Sequence, residues 1–261
     1  MARQFLLTVI TLCLLLVAPA RGTVLDWSNV SWTAGSLTQT YNLDGDDFDD
    51  VTITISGDTS ALVSGYPSIG TDLQGGLGSA DDTLLLRLNF TDPSQSITVT
   101  VQFHYYYVGA TNVSFSLFDV DGDQLGASPI YRFRDHIREL SATGDNGLIA
   151  AALAAGTANS TAGSGTNQTV TGNDLANDTG TGSGAGNVSI DYGSNNVNEF
   201  SFTIGNTGNI LAGDPHEQVI AIHDIKFKSK VPEVGTTLLA VAVCAGLGGL
   251  RLLRTLRQTK A

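Results

Sequence analysis

The sequence predicts an all-β chain: an antiparallel β-sandwich of jelly-roll type, followed by one transmembrane helix at the C-terminus. Three observations predict it. Across residues 97–107, Ile97, Val99, Val101, Phe103, Tyr105 and Tyr107 alternate with Thr98, Thr100, Gln102, His104 and Tyr106, a period of two that suits a strand and not a helix. Shorter stretches repeat the alternation with turn residues between them. Residues 234–250 carry no charged side chain and are followed by Arg251, Arg254, Arg257 and Lys260.

Residues 1–20 read as a secretory signal peptide. Arg3 supplies a basic start, residues 5–17 are almost unbroken apolar sequence, and Ala18-Pro19-Ala20 offers the small-residue cleavage site. Cleavage after Ala20 exports a body of residues 21–230. That body holds neither of the two cysteines, Cys13 and Cys244, so it has no disulfide and no cysteine-based nucleophile or metal site. Between residues 21 and 232, 24 acidic side chains face 8 basic ones. The resulting net charge, near −16, repels nucleic acid and argues against it as a partner.

Strand signals then follow in order. Val24, Trp27, Val30 and Trp32 sit among polar residues, and Val51, Ile53 and Ile55 alternate with Thr52, Thr54 and Ser56. Leu84, Leu86, Leu88 and Phe90 share an apolar face after a Gly-rich stretch. The long strand from Ile97 turns at Gly109-Ala110, and Val113, Phe115 and Leu117 read as its antiparallel hairpin partner. Residues 135–142 make a further strand, and the Ala- and Leu-rich residues 148–155 favour one or two helical turns. In residues 154–187, 29 of 34 are Gly, Ala, Ser, Thr or Asn. Such a composition supplies no core of its own, so the segment reads as a long surface loop, with a short strand at 169–171. Phe200, Phe202 and Ile204 restore the alternation, and Val219, Ala221, Ile225 and Phe227 are expected to line one face of a last strand. Many short strands with little helix imply a sandwich.

Candidate sites are few. Asp119, Asp121 and Asp123 lie two apart at a strand end, a spacing at which carboxylates can surround a hard cation such as Ca²⁺. The EF-hand pattern fails, since Gln124 holds the glycine position and Ile130 the position of the bidentate Glu. An acidic turn in solvent is the competing reading, as it is for Asp44, Asp46, Asp47, Asp49 and Asp50. The outward-facing Tyr106, beside His104, is the candidate carbohydrate contact. His223 reads as a satisfied core histidine, and Asp214-Pro215-His216-Glu217 as a turn. No G-x-S-x-G element occurs, and the chain is expected not to be an enzyme.

The C-terminus reads Val231-Pro232-Glu233, then the apolar run, then the four basic residues. Seventeen helical residues span about 26 Å, the short end of what a bilayer core requires, and the basic tail stays cytoplasmic. This order of parts resembles the PEP-CTERM sorting signal of exported bacterial proteins, with Val234 standing where the second proline of that motif would be. The resemblance covers about the last 30 residues. It implies sorting by a membrane protease (exosortase) that cuts near the motif. A plain tail anchor is the competing reading. Residues 112–121 and 220–227 resemble recurrent strands of the jelly-roll-like ectodomains that many PEP-CTERM proteins carry. The implied function is a non-catalytic surface or extracellular-matrix protein, in adhesion or the exopolysaccharide layer. It would be held at the inner membrane with its body outside, or moved to the cell surface once sorted. A carbohydrate-binding module or polysaccharide-acting enzyme on the same fold is the alternative.

Overall fold

Alternation sets the strands. The computed structural model describes residues 22–45, 47–105, 109–176, 183–211 and 215–229. The signal peptide, the motif Val231-Pro232-Glu233, the helix at 234–250, the basic residues Arg251, Arg254, Arg257 and Lys260, and also Asp46, Tyr106 and Asp214, lie outside these residues. Among the described residues no helix is long and apolar enough to cross a membrane.

The first half of the body holds β1 (Gly22–Leu25), β2 (Thr38–Tyr41), β3 (Val51–Gly57), β4 (Ser68–Gly70), β5 (Thr83–Leu88) and β6 (Ser96–Phe103). Next come β7 (Ala110–Phe118), β8 (Gly122–Gln124) and β9 (Ile130–Gly144). β10 (Gly147–Ala150), β11 (Ala152–Ala155), β12 (Asn159–Ala162) and β13 (Thr169–Gly172) follow. The chain then forms β14 (Val188–Asp191), β15 (Glu199–Asn206), β16 (Asn209–Ile210), β17 (Gln218–Ile222) and β18 (Ile225–Ser229).

These strands make two sheets. One runs β1-β18-β7-β17-β5-β4, with β14 and then β11 added beyond β7. The other runs β12-β13-β9-β15-β6-β3-β2, with β8, β10 and β16 also paired to the 15-residue β9. Every pairing is antiparallel except that of β16 with β9. The inward faces share one core. Phe115 on β7 stacks on Phe200 of β15 at 4.7 Å between ring centroids, and Phe103 on β6 meets Phe227 of β18 at 5.0 Å. Aromatic contact across the gap is what joins the sheets, because each ring brings a large apolar area and a preferred geometry.

The alternating segments behave as the sequence predicts. Val51, Ile53 and Ile55 point inward from β3, as do Ile97, Val99, Val101 and Phe103 from β6 and Phe200, Phe202 and Ile204 from β15. Leu84, Leu86 and Leu88 do so from β5, with Phe90 just beyond.

Four expectations are corrected. First, β6 and β7 form no hairpin. β6 pairs with β3 and β15, whereas β7 pairs with β14, β17 and β18. The chain crosses between sheets near Gly109, whose φ of +59° and contact with the Val197 backbone leave no room for a side chain. Second, residues 148–155 are the strands β10 and β11. Asp145 and Asn146 form a two-residue turn that pairs Gly147 with Gly144, and the ladder this starts overrides helix propensity. Third, the described part of the expected 154–187 loop carries more strand than the one expected at 169–171, which is β13. β11 adds to β14, and β12 and β13 form a hairpin whose Val170 is fully buried. A segment too poor in apolar residues to build a core can still extend an existing sheet.

Fourth, the last strand is two. Ile220 and Ile222 of β17 and Ile225 and Phe227 of β18 enter the main core. Ala221, with Val219 packed against it, instead joins Leu73, Leu85 and Phe118 in a second cluster. The inward parity changes from even to odd across His223-Asp224, so Val219 and Ala221 do not share a face with Ile225 and Phe227.

Candidate functional site

The break at His223-Asp224 gathers the first cluster. β17 and β18 lie in succession along β7, and the His223 N–H still reaches the Ser116 carbonyl at 2.9 Å. The His223 ring stacks on Phe118 at 5.1 Å, and its Nε2 lies 3.2 Å from Asp81 Oδ2. Ser28 Oγ donates to the other oxygen of Asp81 at 3.0 Å, and the Trp27 N–H donates to Asp224 Oδ1 at 3.1 Å. One ligand atom each from Asp81, His223 and Asp224 fall within 4.8 Å of one another. His223 is thus satisfied, but by Asp81 and Phe118 on the outer side of the sheet and not in the main core. The grouping joins positions more than 140 apart in the chain, which sequence spacing could not reveal.

Electrostatics divides the two carboxyls. Partial burial pushes Asp81 up, but the hydrogen bonds from His223 and Ser28 together hold it below the ordinary carboxylate range. Burial raises Asp224, opposed by the Trp27 N–H. A carboxyl whose folded pKa is depressed stabilises the fold above its unfolded value, near 3.9, and stops doing so as pH falls through the folded value. Asp81→Asn is therefore expected to lower the thermal midpoint at pH 5–7 relative to wild type. That gap should close below about pH 3; a pH-independent gap in the two melting series would refute the pairing.

The second cluster surrounds Asp121. Asp121 and Asp135 are 3% and 0% exposed. β8 pairs with β9, placing Gly122 opposite Arg134, and the Asp135 N–H donates to the Asp121 carbonyl at 2.9 Å. In return Asp135 Oδ2 accepts the Asp121 N–H at 3.0 Å, while Asp121 Oδ2 accepts the Ala176 N–H at 2.8 Å. Asp135 Oδ1 is buried with no hydrogen-bond partner. Burial, and then the charge of Asp121, hold the Asp135 carboxyl well above the carboxylate range; the Asp121 N–H opposes this and the Asp119 charge adds to it. Asp119 occupies the turn after β7 with φ of +63°. Asp123 turns to a different partner, Arg132, at 2.8 Å.

The remaining candidates are committed elsewhere. Asp50 is buried and accepts the Leu43 and Asp44 N–H groups, so it organises the β2–β3 loop. His104 is exposed, with Nε2 2.8 Å from Thr52 Oγ1. Glu217 pairs with Arg87. A groove of about 570 Å³ runs between the β9–β10 turn and residues 194–196. It has no aromatic lining residue, and Asn196 already donates to Asp145 at 3.1 Å.

No protein-family model matches this chain, and no curated protein matches it either. Among solved structures it is similar to a carbohydrate-binding module specific for non-crystalline cellulose, at 9% identity and a TM-score of 0.37, over 66% of this chain and 86% of that one. It is also similar to the N-terminal domain of a Streptococcus gordonii adhesin, at 7% identity and a TM-score of 0.39, over 78% and 50% of the two chains. A mannan-recognising carbohydrate-binding module matches at 9% identity and a TM-score of 0.31, over 81% and 99%. Likeness at this level identifies neither a family nor a ligand.

Proposed function

We propose that this chain is an exported, non-catalytic protein of the bacterial cell surface or extracellular matrix. Its body is a jelly-roll-like sandwich, and residues 231–261 sort or anchor it. The observation that supports this most directly is where the body closes. β1 pairs antiparallel with β18, Gly22 opposite Lys228 and Leu25 opposite Ile225. One residue separates Ala20 from β1, and one separates β18 from Val231. Cuts at the predicted signal site and near the sorting motif would leave every described strand in place. Such a boundary is what a protein handled at both ends requires, because neither cut falls within a described strand.

The non-catalytic reading rests on the sequence, which lacks a cysteine in the body and a nucleophile-elbow motif. The negative charge of the body favours solubility outside the cell over nucleic-acid binding. The test is the intact mass of the full chain expressed in hosts with and without an exosortase system. The expected result is a new C-terminus near Pro232 only where the exosortase is present. A chain ending at Ala261 in both hosts would overturn the sorting reading and leave a plain anchor.

A further inference from the structure

We propose that Asp81, His223 and Asp224 hold a divalent metal ion, Zn²⁺ being the ion their donor set fits best. One ligand atom from each lies within 4.8 Å of the other two. In a regular strand neighbouring side chains point to opposite faces, so His223 and Asp224 could not serve one site. The break between β17 and β18 lets both reach Asp81, which stands two residues before β5. Outer partners then hold each carboxylate by one oxygen. Ser28 Oγ and the Asp82 N–H donate to Asp81 Oδ1 at 3.0 and 3.1 Å, and the Trp27 N–H donates to Asp224 Oδ1 at 3.1 Å. Phe118 stacks on the imidazole at 5.1 Å. Ligands oriented by a surrounding ring of contacts are what a metal site requires.

The distances suit the ion. Zn²⁺ binds imidazole nitrogen and carboxylate oxygen at about 2.0–2.2 Å, and two such ligands at a tetrahedral angle stand about 3.3 Å apart. His223 Nε2 and Asp81 Oδ2 are 3.2 Å apart. Asp224 completes the set by a swing of its carboxylate about the oxygen that Trp27 holds. Water takes the fourth position, reached past the Asp81 side chain, which is 34% exposed. An imidazole with two carboxylates favours an ion of the Zn²⁺ type over Ca²⁺ and Mg²⁺, which prefer oxygen alone. A hydrogen-bonded His223–Asp81 pair without metal is the rival. It explains the 3.2 Å contact but gives no reason for a second carboxylate beside it, and among the described residues neither carboxylate pairs with Lys or Arg. The ion also supplies a cross-link that the cysteine-free body lacks, tying residues 142 positions apart.

The experiment uses the full chain, stripped with EDTA and titrated with ZnCl₂ by calorimetry, with melting temperature read in parallel. Binding heat is expected, and a hundredfold excess of Zn²⁺ over Kd should raise the midpoint by about 5–10 °C. Ca²⁺ and Mg²⁺ should do neither. Asp224→Asn keeps the His223–Asp81 pair and the shape at position 224, so it should lose the Zn²⁺ response without losing the fold. His223→Gln should lose that response too, and it decides the matter if Asp224→Asn fails to fold. His104→Gln, at an exposed histidine bonded to Thr52, should keep the full response. Absence of heat and of any midpoint shift in wild type would overturn the proposal in favour of the metal-free pair. A response that survives either variant of the site would overturn it too, by moving the ion elsewhere. So would binding of Ca²⁺ in preference to Zn²⁺, which would leave the imidazole no part.

Discussion

Replacing Phe200 by Ala is expected to cost about 3–5 kcal/mol of folding stability, the range for deleting a fully buried ring. Phe200 is 1% exposed at the middle of the core. Its ring touches Phe115 at 4.7 Å, Tyr192 at 5.7 Å and Phe103 at 6.1 Å. Phe115 and Tyr192 belong to the facing side of the sandwich and its margin, so one ring ties both sheets. The local sequence makes room for it. Phe200 lies opposite Val101 on one neighbour and Ala142 on the other, and the small Ala142 leaves the space a ring requires. The strands cannot close over the missing volume, because each is held in register on both edges. Urea unfolding should show a lower midpoint with an unchanged m-value, and the melt should fall by roughly 10 °C or more. Leu148→Ala, at a site 65% exposed, should stay within about 0.5 kcal/mol of wild type. Equal effects at the two positions would mean that the sheets do not pack face to face.

What the sequence made legible was the parity of side chains, and what it hid was partnership. Alternation in β3, β6 and β15 identified inward residues one by one, since a strand has only two faces. It carried no information on which sheet a strand joins. The succession of β6, Gly109-Ala110 and β7 resembles a hairpin, yet the chain changes sheet there. Residues 148–155 misled in the opposite direction: Ala and Leu favour helix locally, and a turn at Asp145-Asn146 decided otherwise. The break at His223-Asp224 shifts parity by one, a change that a reading by alternation cannot detect without the neighbouring strand.

The candidate sites divide in the same way. Asp119, Asp121 and Asp123 were visible as a spacing, but the spacing did not separate the buried Asp121 from Asp123, which Arg132 claims. Asp135 left one usable signal. It stands two residues before Ile137, so alternation along β9 places a carboxyl on the core face. A charge at an inward position is the informative exception to burial rules. Asp81 gave no such sign, because its partners come from the far end of the chain.

Gly172→Ala is expected to cost about 3 kcal/mol, near the upper end of overpacking penalties. A Cβ at position 172 would overlap the carbonyl of Asp121 and come within 2.6 Å of its Cα. Those atoms are backbone, so no rotamer change relieves the clash, and one of the two strands must move. Movement of Asp121 has further consequences. Its carbonyl accepts the Asp135 N–H at 2.9 Å, its own N–H holds Asp135 Oδ2, and its carboxylate accepts the Ala176 N–H. Gly78→Ala provides the comparison, because nothing lies within 4 Å of a Cβ there, and should change stability by no more than about 0.5 kcal/mol. Chemical denaturation of both variants reads the difference. If Gly172→Ala is as neutral as Gly78→Ala, β13 does not press on Asp121.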